Sequence, residues 1–162
     1  MEELNYMMLC ADGAVEAVHI GDADEDEIFL TMLSVFNTSL GGFFDNYKTR
    51  TMSAFSASDV STVVNSNDSD DGVKKFVSAL DGKGFKLSAC WHENDLVFQR
   101  EGLHSENRFF RGKGFERIFG TVIVRALIDD DDAVEVPAST AMVVAEMILK
   151  AKGMSLNYLF AG

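Results

Sequence analysis

The sequence predicts an α+β fold: a single domain whose mostly antiparallel sheet of about five to six strands carries two to four helices. Three stretches predict it. Phe85, Leu87, Ala89 and Trp91 alternate with Lys86, Ser88, Cys90 and His92, the period of a half-buried strand. Ile118–Ile128 is rich in β-branched residues, which suit a pleated surface. Met142, Val143, Ala145, Ile148 and Leu149 lie between Pro137 and Gly153, a start and a stop signal for a helix.

Taken in order, Asn5–Cys10 and Ala14–Ile20 read as two short strands joined by Ala11-Asp12-Gly13. Asp22 and Asp24 offer helix N-caps. Glu25, Asp26 and Glu27 then fill a first turn, where the helix dipole favours negative charge. Ile28, Leu30 or Phe29, Met32, Leu33 and Phe36 form the apolar stripe of a helix reaching about Thr38, with Gly41-Gly42 as its stop. Residues 40–71 carry less pattern and are expected to be an insertion or loop. Phe43-Phe44 and Met52–Phe55 are apolar there, but Ser, Asn and Asp accumulate through Asn65–Asp71. A short helix over Asp59–Val64, capped by Ser58, is expected within it. Val73, Phe76, Val77 and Leu80 have helical spacing, so Gly72–Leu80 reads as a short helix or as the approach to a strand. Phe85–Phe98 reads as a hairpin, with Glu93-Asn94-Asp95 as its turn and Leu96-Val97-Phe98 opening its second strand. Asp129–Asp132 follows the Ile118–Ile128 strand as a turn whose four adjacent charges must be exposed. Val134–Val136 leads to Pro137, and Lys150 and Lys152 suit the C-terminal dipole of the helix that follows. Leu156, Tyr158 and Phe160 alternate as a last strand.

At 162 residues the chain can bury roughly 70% of its unfolded surface. No apolar run approaches the ~20 residues of a membrane span, and Glu2 and Glu3 stand where a signal peptide needs Lys or Arg. Cys10 and Cys90 lie in apolar strand patterns and read as reduced, buried thiols of a cytoplasmic protein. Asn37-Thr38-Ser39 is a glycosylation sequon only on a secreted chain.

The net charge of −12 is uneven. Ten acids and no Lys or Arg precede Lys48. Residues 48–128 hold twelve Lys and Arg against ten Asp and Glu, with Arg108, Arg111, Lys113 and Arg117 forming a basic knot. Six acids follow, against Lys150 and Lys152. Such a balance disfavours nucleic acid, whose phosphates are repelled, and favours fast encounter with basic partners. A regular two-row pattern of charge, which a phosphate mimic would need, is not present. His19, His92 and His104 have no paired Cys or His at metal-ligand spacing, so neither a metal nor another cofactor is expected. Trp91 falls on the apolar face of its strand and belongs to the core. Only one of Phe109 and Phe110 can face the core, which leaves Phe109 as a candidate contact. The other candidate partner-binding residues are Glu93 and Asp95 in the hairpin turn, Glu101 and Glu106 beyond it, and Asp129, Asp130, Asp131 and Asp132.

The order of elements resembles an immunity protein of bacterial polymorphic-toxin systems, in the family that includes partners of deaminase toxins. Four stretches carry the resemblance: CADGAVEAVHIGDADEDEIFLTML, GFKLSACWHENDLVF, the FFRGKG turn, and EVPASTAMVVAEMILKAKGMSLNYLF. That family commonly closes on a Trp-containing strand, where this chain has Tyr158-Leu159-Phe160, and residues 40–71 have no counterpart in it. The resemblance implies a small α+β protein that binds one toxin and occludes its active site without catalysis. The partner it implies is a cognate protein toxin, a deaminase or another effector directed at nucleic acid. It implies no direct contact with nucleic acid or membrane. Arg111-Gly112-Lys113-Gly114 also resembles the pyrophosphate loop of the GNAT N-acetyltransferases, where backbone N–H groups at a helix N-terminus cradle acyl-CoA. Glu116 would set a carboxylate against that phosphate, and GTVIV reads as strand where that fold needs helix.

Overall fold

The computed structural model describes residues 4–21, 47–64, 70–92, 106–111, 117–118, 120–132 and 134–160. In these the chain runs β1 (Leu4–Leu9), β2 (Val15–Gly21), β3 (Tyr47–Phe55), α1 (Ala57–Val64), α2 (Asp71–Leu80), β4 (Phe85–His92), β5 (Val122–Ile128), β6 (Glu135–Val136), α3 (Ala138–Ala151) and a 3-10 helix, Leu156–Phe160. The strands form one six-stranded sheet in the order β2-β1-β5-β4-β3, with β6 paired to β5. Every pairing is antiparallel. The three helices pack on it in a single α+β domain, as the sequence predicts. The helix expected from Asp22 to Thr38 and the strand expected at Leu96–Phe98 lie outside the described residues.

Pleat alternation sorts the two sheet faces. Phe85, Leu87, Ala89 and Trp91 of β4 share a side with Val122, Val124, Ala126 and Ile128 of β5. All eight belong to the core, together with Val60 and Val63 of α1, Val73, Phe76 and Leu80 of α2, and Ala141, Val144, Ala145, Ile148 and Leu149 of α3. Phe85 sits at the centre of an aromatic cluster, stacked on Phe55 at 5.1 Å and edge-on to Phe76 at 5.3 Å. Trp91 is buried, as its position on the apolar face predicts.

Each helix is closed by side chains suited to the task. Ser56 and Asp59 form a reciprocal box at α1: Asp59 N–H donates to Ser56 Oγ at 3.1 Å and Ser56 N–H to Asp59 Oδ2 at 3.0 Å. The cap is therefore Ser56, two residues before the expected Ser58. Asp70 caps α2 by accepting from Val73 N–H at 2.8 Å. α3 starts after Pro137, which makes no side-chain cap. Asn5 of β1 takes that role, accepting from Ser139 N–H at 2.9 Å and donating to Ser139 Oγ at 2.8 Å. Gly153, at φ +68, ends α3 in the left-handed conformation its position predicts.

Two further expectations are corrected. Residues 47–55 are an edge strand, not part of a loop. Their pattern was hidden because the register with β4 shifts between Thr51 and Ser53. That bulge lets Met52 and Phe55, three residues apart, both reach the core. β4 is flanked by β3 along Phe85–His92 and by β5 along Phe85–Cys90, and the hairpin turn and second strand expected after it, Glu93–Phe98, lie outside the described residues. Finally, Leu156–Phe160 is a 3-10 helix and not a strand. Leu159 is its buried residue, while Leu156 and Tyr158, two of the three residues of the apparent alternation, are exposed.

Candidate functional site

The four-aspartate turn sits where β5 ends and the chain doubles back to β6. Ile128 N–H donates to Val134 O at 2.8 Å and Asp129 N–H to Gly84 O at 2.9 Å, which fixes the turn against the start of β4. Gly84 is required there, since a Cβ on it would run into the Phe55 carbonyl oxygen. Asp130 turns inward. It accepts Asp132 N–H at 3.0 Å and Lys83 Nζ at 3.0 Å, and its side chain is only 17% exposed. The hydrogen bond to Asp130 and that carboxylate's charge hold the Lys83 ammonium above its ordinary value, with Asp81 and Asp132 adding to the effect. Asp129, Asp131 and Asp132 point to solvent. The four acids are thus unequal: one organises the turn and three face outward. Asp81, exposed and held at φ 51, joins them around Lys83. It had not been a candidate, although the run Asp81-Gly82-Lys83-Gly84 marks a turn by its composition.

The other candidates fare differently. Glu106 is half-buried, 3.7 Å from both the Arg111 and Arg117 guanidinium groups. It neutralises part of the basic knot and does not offer a bare carboxylate. Phe109 is half-buried with its ring tilted on Phe160 at 5.4 Å, and Phe110 is buried edge-on to the same ring. The pair anchors the 3-10 helix, which gives Phe109 a packing role. Asn107 beside them is fully buried. It donates to Leu9 O and Gly120 O, each at 2.9 Å, and its Oδ1 accepts Phe109 N–H at 3.0 Å. This ties Glu106 and Phe109 to the beginning of β5, whereas Asp129–Asp132 lies beyond its end. The seven residues of β5 separate the two groups by roughly 20 Å. Glu93, Asp95 and Glu101 fall outside the described residues.

A second polar cluster lies on the sheet face away from the helices. Tyr6 O–H donates to both oxygens of Glu135, at 2.9 and 2.7 Å. Arg125 lies against the same carboxylate through Nε and Nη2 and stacks 5.6 Å from the Tyr6 ring centre. Burial pushes the Tyr6 phenol well above its ordinary value, the Glu135 hydrogen bond and charge push it further, and Arg125 opposes them. A phenol so held is a donor locking β1 to β5 and β6, not an acid or base at neutral pH. The half-buried Cys10 thiol is likewise pushed up, by burial and then by Glu16 and Asp12, which disfavours a reactive thiolate. Among the described residues no group of His, Cys, Asp and Glu is placed to hold a metal ion, and no helix is long and apolar enough to cross a membrane.

No protein-family model, curated protein or solved structure matches the chain.

Proposed function

We propose that the chain is an immunity protein: it binds a cognate bacterial toxin, occludes the toxin's active site, and so protects the producing cell. The observation that carries this is the acidic end of the sheet. Asp81, Asp129, Asp131 and Asp132 project to solvent from two turns held together by the Asp129 N–H bond to Gly84 O and the Asp130–Lys83 pair. A toxin directed at nucleic acid, a deaminase among them, has a cleft shaped for phosphates. Carboxylates on a rigid turn occupy such sites and steer the encounter. The wider sequence order, which resembles that of the immunity family, adds to it. The protein then works in the cytoplasm, without a cofactor or chemistry of its own. Protection at low copy number calls for nanomolar affinity or tighter, about −12 kcal/mol.

The first check is genetic. A neighbouring gene for a large secreted protein with a C-terminal toxin domain supplies the partner. The binding test is association kinetics of that domain with the parent and with an Asp129→Asn, Asp131→Asn, Asp132→Asn variant, at low and high salt. Association of the variant is expected to slow about tenfold or more at low salt, and the gap to close as screening shortens toward 3 Å at 1 M. Equal on-rates at low salt remove the turn from the interface. Failure of the chain to rescue cells expressing the toxin removes the immunity reading itself. Saturable micromolar acetyl-CoA binding by calorimetry, lost on Gly114→Asp, would favour the acetyltransferase instead.

A further inference from the structure

A cavity of about 260 Å³ opens between β3, the beginning of α1 and the end of α3, and all of its lining residues are among the described ones. α3 stops at Ala151, Gly153 turns the chain, and the 3-10 helix packs on both α3 and β3. The cavity is the space left between them. Its floor is apolar: Met52, Phe55 and Leu149 are each almost fully buried. Met154, 37% exposed, and Tyr158, 55% exposed, stand at its mouth. Asp59 and Lys152 close one side, with Nζ 2.6 Å from Oδ1. The bulge of β3 supplies a further polar group. Ser53 pairs with Leu87, a core residue, so its side chain stands on the helix side of the sheet with those of Met52 and Phe55. It lines the cavity, and its hydroxyl oxygen is buried with no hydrogen-bond partner among the described residues. Buried polar groups are nearly always paired, and an unpaired one costs stability. A serine hydroxyl reaches a new partner by a single χ1 rotation.

Size and lining say what fits. A closed apolar cavity of about 150 Å³ takes up benzene, so this space admits a substituted ring or a fused pair. Asp59 and Lys152 compensate each other, so the walls offer no bare charge, and a charged ligand would have to break that pair. The thioethers of Met52 and Met154 and the ring of Tyr158 favour an aromatic face. Ser53 adds one directional contact, and apolar walls with a few placed polar groups are the usual make-up of a small-molecule site. We propose that the cavity binds a free, neutral aromatic molecule of one or two rings with one hydrogen-bonding group, of the phenol and indole class, whose polar group meets Ser53 Oγ. The unpaired hydroxyl is then a strain of the free protein that the ligand relieves. No lining residue belongs to the Asp129–Asp132 turn, and the site does not depend on the partner being a toxin.

The test titrates phenol and indole into protein isotope-labelled at its methionine methyls, followed by NMR. Toluene is the ring without a polar group, benzoate and benzylamine are the charged rings, and a blocked Gly-Trp-Gly peptide carries the indole on a chain. Saturable shifts of the Met52 and Met154 methyls are expected with phenol and indole, and binding about tenfold weaker with toluene. Ser53→Ala should weaken phenol binding about tenfold and leave toluene unchanged. Its melting temperature should not fall, which separates loss of the hydrogen bond from loss of the fold. The absence of saturable shifts at those methyls, equal affinity for toluene and phenol, or phenol binding that Ser53→Ala leaves unchanged would each overturn the proposal. So would tighter binding of either charged ring. A peptide that binds about tenfold or more tighter than indole would overturn it too, by giving the cavity to a side chain of a partner protein.

Discussion

Tyr6 joins three strands through one hydroxyl, and its contribution depends on staying protonated. Its folded value is raised, so the neutral phenol's contribution is fully present below the ordinary value of about 10 and is lost as pH climbs beyond it toward the folded value. Tyr6→Phe should lower stability at neutral pH by about 1–2 kcal/mol, since Glu135 loses a donor in a half-buried site. The variant should also lose stability less steeply than the parent above about pH 10. Denaturant melts of both proteins at neutral and alkaline pH check this, and parallel slopes would mean that the phenol is not coupled to folding. Ser53 gives the opposite case. Its hydroxyl is buried in the bulge of β3 and finds no hydrogen-bond partner among the described residues. Ser53→Ala removes an unsatisfied group, so its melting temperature should equal or exceed the parent's.

Between elements, the tie most exposed to pH joins α1 to the end of α3. Asp59 completes the box at the start of α1 and bonds Lys152 Nζ at 2.6 Å. Partial burial raises its carboxyl value, but the bonds from Lys152 and Ser56 together outweigh this and hold it below the usual range. The stabilisation is therefore present above the unfolded value of about 3.9 and disappears as pH falls through the folded one. Asp59→Asn should cost about 1 kcal/mol at neutral pH, or roughly 2–4 °C, and the two proteins should converge in acid. Calorimetry at neutral and acid pH reads both. Elements of this kind were legible in the sequence where a local period or cap defines them: β1, β2, β4 and α3 all follow from spacing, turns and stops, whereas the spacing of Val73, Phe76, Val77 and Leu80 left α2 open between a short helix and the approach to a strand. β3 was not, because a bulge resets its alternation and Lys48, Thr49 and Arg50 give an edge strand a polar surface. The 3-10 helix was misread because Leu156 and Tyr158 are apolar yet exposed, so their alternation has no buried face behind it. The acidic turn was legible from four consecutive Asp. Its division of labour was not, since Lys83 lies 47 residues from Asp130 in the chain. The intramolecular partners of Glu106 and Phe109, Arg117 and Phe160, were hidden for the same reason, being set by tertiary structure.

Over the whole molecule, the fold keeps charge of one sign where it can act at a distance. The guanidinium groups of Arg111 and Arg117 converge on Glu106 beside the start of β5, and the outward carboxylates collect beyond its far end. The chain carries −12 overall, so those carboxylates repel one another and the rest of the protein, a cost that rises as salt is removed. Asp130 is exempt, because Lys83 compensates it and the turn needs its side chain. Stability and association should therefore respond in opposite senses to the same substitutions. Replacing Asp129, Asp131 and Asp132 by Asn should leave the melting temperature unchanged or raise it at low salt, with the gain shrinking in high salt, while slowing encounter with a basic partner. Asp130→Asn should lower the melting temperature, because the ion pair with Lys83 goes and the turn loosens. Calorimetry of the triple and single variants at two ionic strengths separates the two roles. A triple variant that melts well below the parent at low salt would mean that the outward aspartates are structural, and the acidic end of the sheet would then lose its claim to be a surface kept for a partner.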